Sequence, residues 1–202
     1  MPKPIMIAGG GVAALGGLAF AVSAVIAPAD RFADCRTVTV TEPLGTSFTL
    51  TDTTGRRVTD QEVFAKPTLL YFGYTFCPDV CPIDNGRNAA AVDLMAEDGV
   101  EAQPVFVTID PERDDVELLA EYTAAFHDDM IGLTGSVEEI REVQAAYKSF
   151  SSRQGDDPEY YLVDHSTFTY LVLPGHGFVD LVSRSEDAQQ VADRASCFVR
   201  NA

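Results

Sequence analysis

The stretch Thr68-Leu69-Leu70-Tyr71-Phe72 presents apolar side chains to both faces of a strand. Such a strand belongs in the middle of a sheet that is covered on both sides. It runs almost directly into Phe76-Cys77-Pro78-Asp79-Val80-Cys81-Pro82, so a buried strand hands over to a helix at a pair of thiols. With Cys77 at the helix start and Cys81 one turn on, the two Cβ atoms lie about 5–6 Å apart on one face. A relaxed disulfide prefers about 3.8 Å between them. The spacing therefore favours a bridging soft-metal ion, while redox exchange stays open because a helix start frays and can bring the sulfurs together.

The remaining segments extend this strand-to-helix unit. Thr37 to Val40 and Ser47 to Thr51 alternate, and the turn Asp52-Thr53-Thr54-Gly55 before Val58 reads as a hairpin. Asp79 to about Glu97 is expected to be helical, although Gly86 weakens it by about 1 kcal/mol relative to alanine. Pro104 to Ile109 is a second buried strand, after which Asp114 or Asp115 caps a helix with the stripe Val116, Leu119, Tyr122 and Phe126. Ser136 and Glu139 form a capping-box pattern that opens a helix to about Lys148. Ser151 to Glu159 is a loop or hairpin tip. Strands follow at Phe168 to Leu173 and Phe178 to Val182, and a last helix runs from about Glu186 to Val199. This order predicts an α/β chain with a thioredoxin-like fold, carrying an N-terminal hairpin and an inserted helix. A generic doubly wound fold is the competing plan.

Between Lys3 and Asp30 there is no charged residue, and an apolar segment of this length can cross about 30 Å of hydrocarbon as a helix. Residues 1–29 are therefore expected to be a single transmembrane anchor and residues 30–202 the soluble domain. A cleaved signal peptide ending near Ala27-Pro28-Ala29 is the alternative, but its apolar core is normally only about 7–15 residues. Cys35 and Cys197 stand at opposite ends of the soluble domain and suit an oxidising compartment. The sequence leaves open whether they are joined or are unrelated thiols. The net charge is −17, with every acidic residue after the apolar segment, which argues against nucleic acid and against anionic lipid as partners.

A helix N-terminus favours thiolate at Cys77 and Cys81, and soft sulfur ligands select Cu(I), Zn(II) or iron–sulfur chemistry. Two thiolates are too few for a closed zinc or cluster site, whereas Cu(I) needs at most one more donor. His165 leads into a strand and is a candidate for that donor, yet a lone histidine is ordinarily a structural hydrogen-bonder. The residues alone leave both roles open. His127 sits in a helix-end cluster and His176 in a glycine-flanked turn, both reading as surface positions. Asp79, between the cysteines, either tunes the thiolates or stabilises the helix dipole.

Gly73-Tyr74-Thr75-Phe76-Cys77-Pro78-Asp79-Val80-Cys81-Pro82, Thr108-Ile109-Asp110-Pro111-Glu112-Arg113-Asp114 and Asp164-His165-Ser166-Thr167-Phe168-Thr169-Tyr170-Leu171 together resemble the three blocks of the Sco/SenC family, in order and spacing. The resemblance implies one N-terminal membrane anchor and a thioredoxin-like domain in the periplasm or the mitochondrial intermembrane space. It implies copper, as Cu(I) and also Cu(II), held by Cys77, Cys81 and His165. It implies delivery to the CuA centre in subunit II of cytochrome c oxidase, with an upstream copper chaperone as a conceivable donor. Asp110 is not carried over as a ligand, because an Asp-Pro turn before an acidic cap is ordinary loop chemistry. Two features depart from the family pattern, the pair Cys35 and Cys197 and the segment Asp84-Asn85-Gly86, and neither is expected to touch the metal site. The competing function is a thiol–disulfide oxidoreductase that reduces the CuA-ligand cysteines of the oxidase. Against it stand the CxxxC spacing and the lack of a proline between Asp164 and Thr167.

Overall fold

Residues 30–36, 43–157 and 160–202 are described in the computed structural model. In chain order they form β1 (Thr49–Asp52), β2 (Arg57–Thr59), α1 (Asp60–Val63), β3 (Thr68–Gly73), α2 (Val80–Glu97), β4 (Gln103–Thr108) and α3 (Val116–Ala124). There follow β5 (Ile131–Thr134), α4 (Val137–Ala146), β6 (Ser151–Gln154), β7 (Leu162–His165), β8 (Thr169–Leu173), β9 (Gly177–Val182) and α5 (Ala188–Arg200). Arg31–Ala202 make up one unit, and of the other unit, Met1–Asp30, only Asp30 is described.

The two runs apolar on both faces become the centre of the sheet. β3 and β4 are buried at every position and pair in parallel, Leu70 opposite Val105 and Phe72 opposite Val107. A seven-stranded mixed sheet surrounds them in the order β2-β1-β5-β4-β3-β8-β9. β5 extends the parallel part, β8 and β9 add antiparallel strands on one side, and the β1–β2 hairpin closes the other. With helices packed on this sheet the architecture is a thioredoxin-like mixed α/β fold carrying the expected N-terminal hairpin. α2 packs on α5, and Ala91, Val92 and Met95 meet Val191, Ala195 and Phe198 there in one apolar cluster. The helix caps are where the sequence placed them. Asp115 accepts from the Leu118 N–H at 2.8 Å, and Ser136 and Glu139 exchange both bonds of a capping box.

Several expectations are corrected. The expected transmembrane helix is withdrawn, and with it the membrane-anchored location: no helix among the described residues is long and apolar enough to cross a membrane, and residues 1–29, on which the expectation rested, lie outside the described residues. The strand expected at Thr37 to Val40 likewise falls outside them. The polar stretch from Ser151 opens with a strand, since β6 pairs with β7 in a two-stranded ribbon with Ser151 opposite His165. β5 is an element the sequence reading missed. Cys35 and Cys197 are joined in a disulfide, with Cα atoms 5.7 Å apart.

Candidate metal centre

The parallel pair β3 and β4 ends at the loop that carries the first thiol. Helix α2 begins at Val80, so Cys77 lies ahead of the helix and only Cys81 lies in its first turn. This corrects the placement of both cysteines on one helix face. The non-helical backbone of Asp79 (φ −138°, ψ −74°) turns the chain so that Cys77 folds back over the helix start. The Cys81 N–H then donates to Cys77 Sγ at 3.3 Å, one of the unpaired amides at a helix N-terminus turned onto sulfur.

The imidazole arrives from the ribbon. His165 is the last residue of β7, and its Nδ1 lies 2.8 Å from the Ser166 carbonyl oxygen. A carbonyl only accepts, so Nδ1 carries a proton, and Nε2 is the ring nitrogen turned toward the sulfurs, the one that can offer a lone pair to a metal. Nε2 is 3.3 Å from Cys81 Sγ. The ring is held by edge contacts from Tyr71 and Tyr74, with centroids 6.2 Å and 5.9 Å away. One ligand atom from each of Cys77, Cys81 and His165 lies within 4.8 Å of the others. Both thiols are free and buried, and the histidine is half-buried.

The two sulfurs are electrostatically unequal. The hydrogen bond from the Cys81 thiol, helped by the Cys81 and Asp79 amides, holds Cys77 well below the usual thiol range despite burial. The same contact and a more complete burial push Cys81 upward. The pair therefore holds one proton between its sulfurs, with thiolate character concentrated on Cys77.

The other candidates lie elsewhere or play supporting roles. His127 faces Asp93 at 3.3 Å, His176 packs edge-on against Phe32, and the Asp79 side chain makes no cap bond. Asp110 is buried but committed to Arg113 and the Tyr161 hydroxyl. The departing segment does not contact the three donors, but it reaches their surroundings: Asp84 accepts from the Tyr71 hydroxyl at 3.0 Å, and Tyr71 is the ring edged against His165. Tyr71, Tyr74 and Arg113 were not singled out by the sequence reading. Tyr74 and Arg113 belong to two of the three blocks, and Tyr71 to the buried strand just before the first.

A family model described as SCO1/SenC matches residues 36–200. The chain belongs to the SCO1/SenC family. This SCO1/SenC protein is 46% identical over 185 residues to Protein SenC of Rhodobacter capsulatus, covering 91% of this chain and 84% of that one. It is 42% identical over 151 residues to the mitochondrial SCO1 homolog 1 of Arabidopsis thaliana, covering 74% of this chain but 45% of the plant protein. Among solved structures, Arabidopsis thaliana ScoI with copper bound superposes with a TM-score of 0.74 at 40% identity, covering 78% of this chain and 99% of that one. Yeast Sco1 with copper bound gives a TM-score of 0.74 at 34% identity, covering 80% and 91%.

Proposed function

We propose that this SCO1/SenC protein is a copper chaperone that holds one Cu(I) between Cys77 Sγ, Cys81 Sγ and His165 Nε2, and that it delivers the ion to the CuA centre in subunit II of cytochrome c oxidase. The observation that carries the reading is the convergence of two sulfurs and one imidazole nitrogen, all within 4.8 Å, from segments far apart in sequence. Two soft thiolates and an imidazole match the preferences of Cu(I), which accepts two or three such donors. A three-donor site also leaves room for an incoming ligand to add before an old bond breaks, which a closed four-ligand cage would resist. Loading requires the proton shared by the thiols to leave, so uptake is coupled to proton release.

The test is copper stoichiometry and retention in the protein with Cys77 and Cys81 reduced. About one Cu(I) per chain is expected. His165→Ala should weaken retention while both thiols still react with a thiol reagent, and Cys77→Ala should abolish binding. Unchanged stoichiometry and affinity in His165→Ala, with loss in Cys77→Ala, would overturn the three-donor assignment.

The inequality of the two sulfurs supports a second reading. A Cys77 thiolate can attack a partner's disulfide, after which Cys81 resolves the mixed disulfide, leaving Cys77 and Cys81 oxidised to one disulfide and the partner reduced to two thiols. Incubation with the apo CuA domain separates the two. A chaperone transfers metal stoichiometrically, whereas a reductase turns over with a thiol donor and no copper.

A further inference from the structure

The ribbon of β6 and β7 is a separate two-stranded sheet, so no ladder of the main sheet sets the distance of His165 from the sulfurs. Across this gap the His165 ring meets Tyr71 and Tyr74 edge-on and the Val163 N–H donates to the Tyr74 hydroxyl at 3.2 Å; a further set of contacts converges on one side chain, Arg113. Its guanidinium lies 3.4 Å from the ring centroid of Tyr161, on the segment leading into the ribbon. It lies 4.7 Å from the ring of Phe76 and 5.9 Å from that of Tyr74, both on the thiol-bearing loop. Arg113 also donates to the Tyr161 carbonyl at 3.1 Å. Asp110 fixes the stack from behind, accepting from Arg113 Nε at 2.6 Å and from the Tyr161 hydroxyl at 2.5 Å.

We propose that Arg113 is a positioning residue, a planar cation that clamps the His165-bearing ribbon to the Cys77-bearing loop and so sets the reach of the imidazole toward the two sulfurs. This gives a role to the Thr108 to Asp114 block, whose Asp-Pro turn and acidic cap are otherwise ordinary loop chemistry. The planarity is what matters. A guanidinium stacks flat on aromatic faces and pairs with a carboxylate through a rigid fork, whereas an ammonium of equal charge keeps the attraction to a ring face but has neither the plane nor the fork. The proposal rests on the reading of Cys77, Cys81 and His165 as copper donors.

The experiment compares full-length wild type, Arg113→Lys and Phe76→Leu, with Arg57→Lys as the control, because Arg57 pairs with Glu139 away from the site. Each protein is loaded with copper. Release of Cu(I) to a chelator is timed, and nitrogen coupling in the Cu(II) resonance spectrum reports the imidazole. Loss of a group that orients a metal ligand commonly weakens binding by about 10- to 100-fold, so Arg113→Lys is expected to release copper faster by about that factor with weakened nitrogen coupling. Phe76→Leu should move both readouts in the same direction. Arg57→Lys should match the wild type. Phe76 is 53% exposed, so its variant tests the clamp even if Arg113→Lys fails to fold. Wild-type release rates and spectra in Phe76→Leu and in any folded Arg113→Lys overturn the clamp and leave the copper reading standing. A wild type that binds no copper sinks that reading and the clamp with it.

Discussion

A Cβ on Gly73 would lie 2.9 Å from the sulfur of Cys81. The last residue of β3 thus has no side chain because the thiol occupies its space, and the strand end and the site are fitted to each other. The same Cβ would meet Phe106 at 2.9 Å and Tyr71 at 3.0 Å. All three neighbours are fully buried, so none can swing aside.

Gly73→Ala is therefore expected to lose about 1–3 kcal/mol of stability, the usual penalty for overfilling a close-packed site. It should also displace Cys81 and loosen copper. Urea unfolding and chelator competition measure the two effects, and a variant unchanged in both would show that the crowding is readily relieved.

Asp84→Ala should be more damaging. Asp84 is 1% exposed and pairs with Arg87, itself buried, and with Arg184, each at 3.3 Å. Removing the carboxylate leaves the Arg87 guanidinium enclosed without its counter-charge, a loss of about 3–5 kcal/mol. It also frees the Tyr71 hydroxyl. A denaturation midpoint close to that of wild type would contradict this account.

Asp114 should make stability fall as pH rises through the acid range. Burial raises its carboxyl above the ordinary 3.8, outweighing the hydrogen bonds it accepts from Thr108 and Thr75. A carboxyl raised on folding binds its proton more tightly in the folded chain than in the unfolded one. Its favourable contribution is thus complete below the unfolded pKa and is lost as pH climbs through the folded pKa. The unfolding free energy of Asp114→Asn, measured from about pH 3 to about pH 7, should lack this decline. A difference from wild type that does not vary with pH would refute it.

Opening the Cys35–Cys197 disulfide, which spans a sequence separation of 162, should destabilise the domain by up to about 5 kcal/mol on chain-entropy grounds. Mass spectrometry after alkylation should find two reactive thiols in the unreduced, unfolded chain and four after reduction. The Cys35→Ser, Cys197→Ser pair should melt lower, and an equal melting temperature would argue that the cross-link constrains little.

Patterns that are local in sequence were read correctly. β3 and β4 are apolar on both faces and sit at the sheet centre, and the Ser136–Glu139 capping box announces α4 because its two bonds span three residues. The short strand β5, Ile131-Gly132-Leu133-Thr134, carries a glycine and too few residues for a period. It exists because β4 offers it an edge. The motif also misled in detail. CxxxC spacing invites a helix through both sulfurs, but the backbone at Asp79 breaks it, and the sulfurs converge by a folded-back loop instead. The contact of His165 with Cys81 spans 84 residues, so no local pattern could settle it: the residues made His165 a candidate, and the family resemblance singled it out. The Tyr71–Asp84 bond depends on how α2 is rotated against β3, which the weak apolar stripe of that helix does not specify.

That 84-residue span has a consequence for the loaded protein. An ion shared by Cys81 and His165 is a detachable cross-link between the helix start and the ribbon, closing a loop that the free chain keeps shut with weaker contacts. Surrender of the cargo is thus expected to leave the ribbon held by the Arg113, Tyr74 and Tyr161 contacts. The emptied chaperone should expose the segment before His165 to proteases more readily than the filled one, a difference by which the two forms can be told apart.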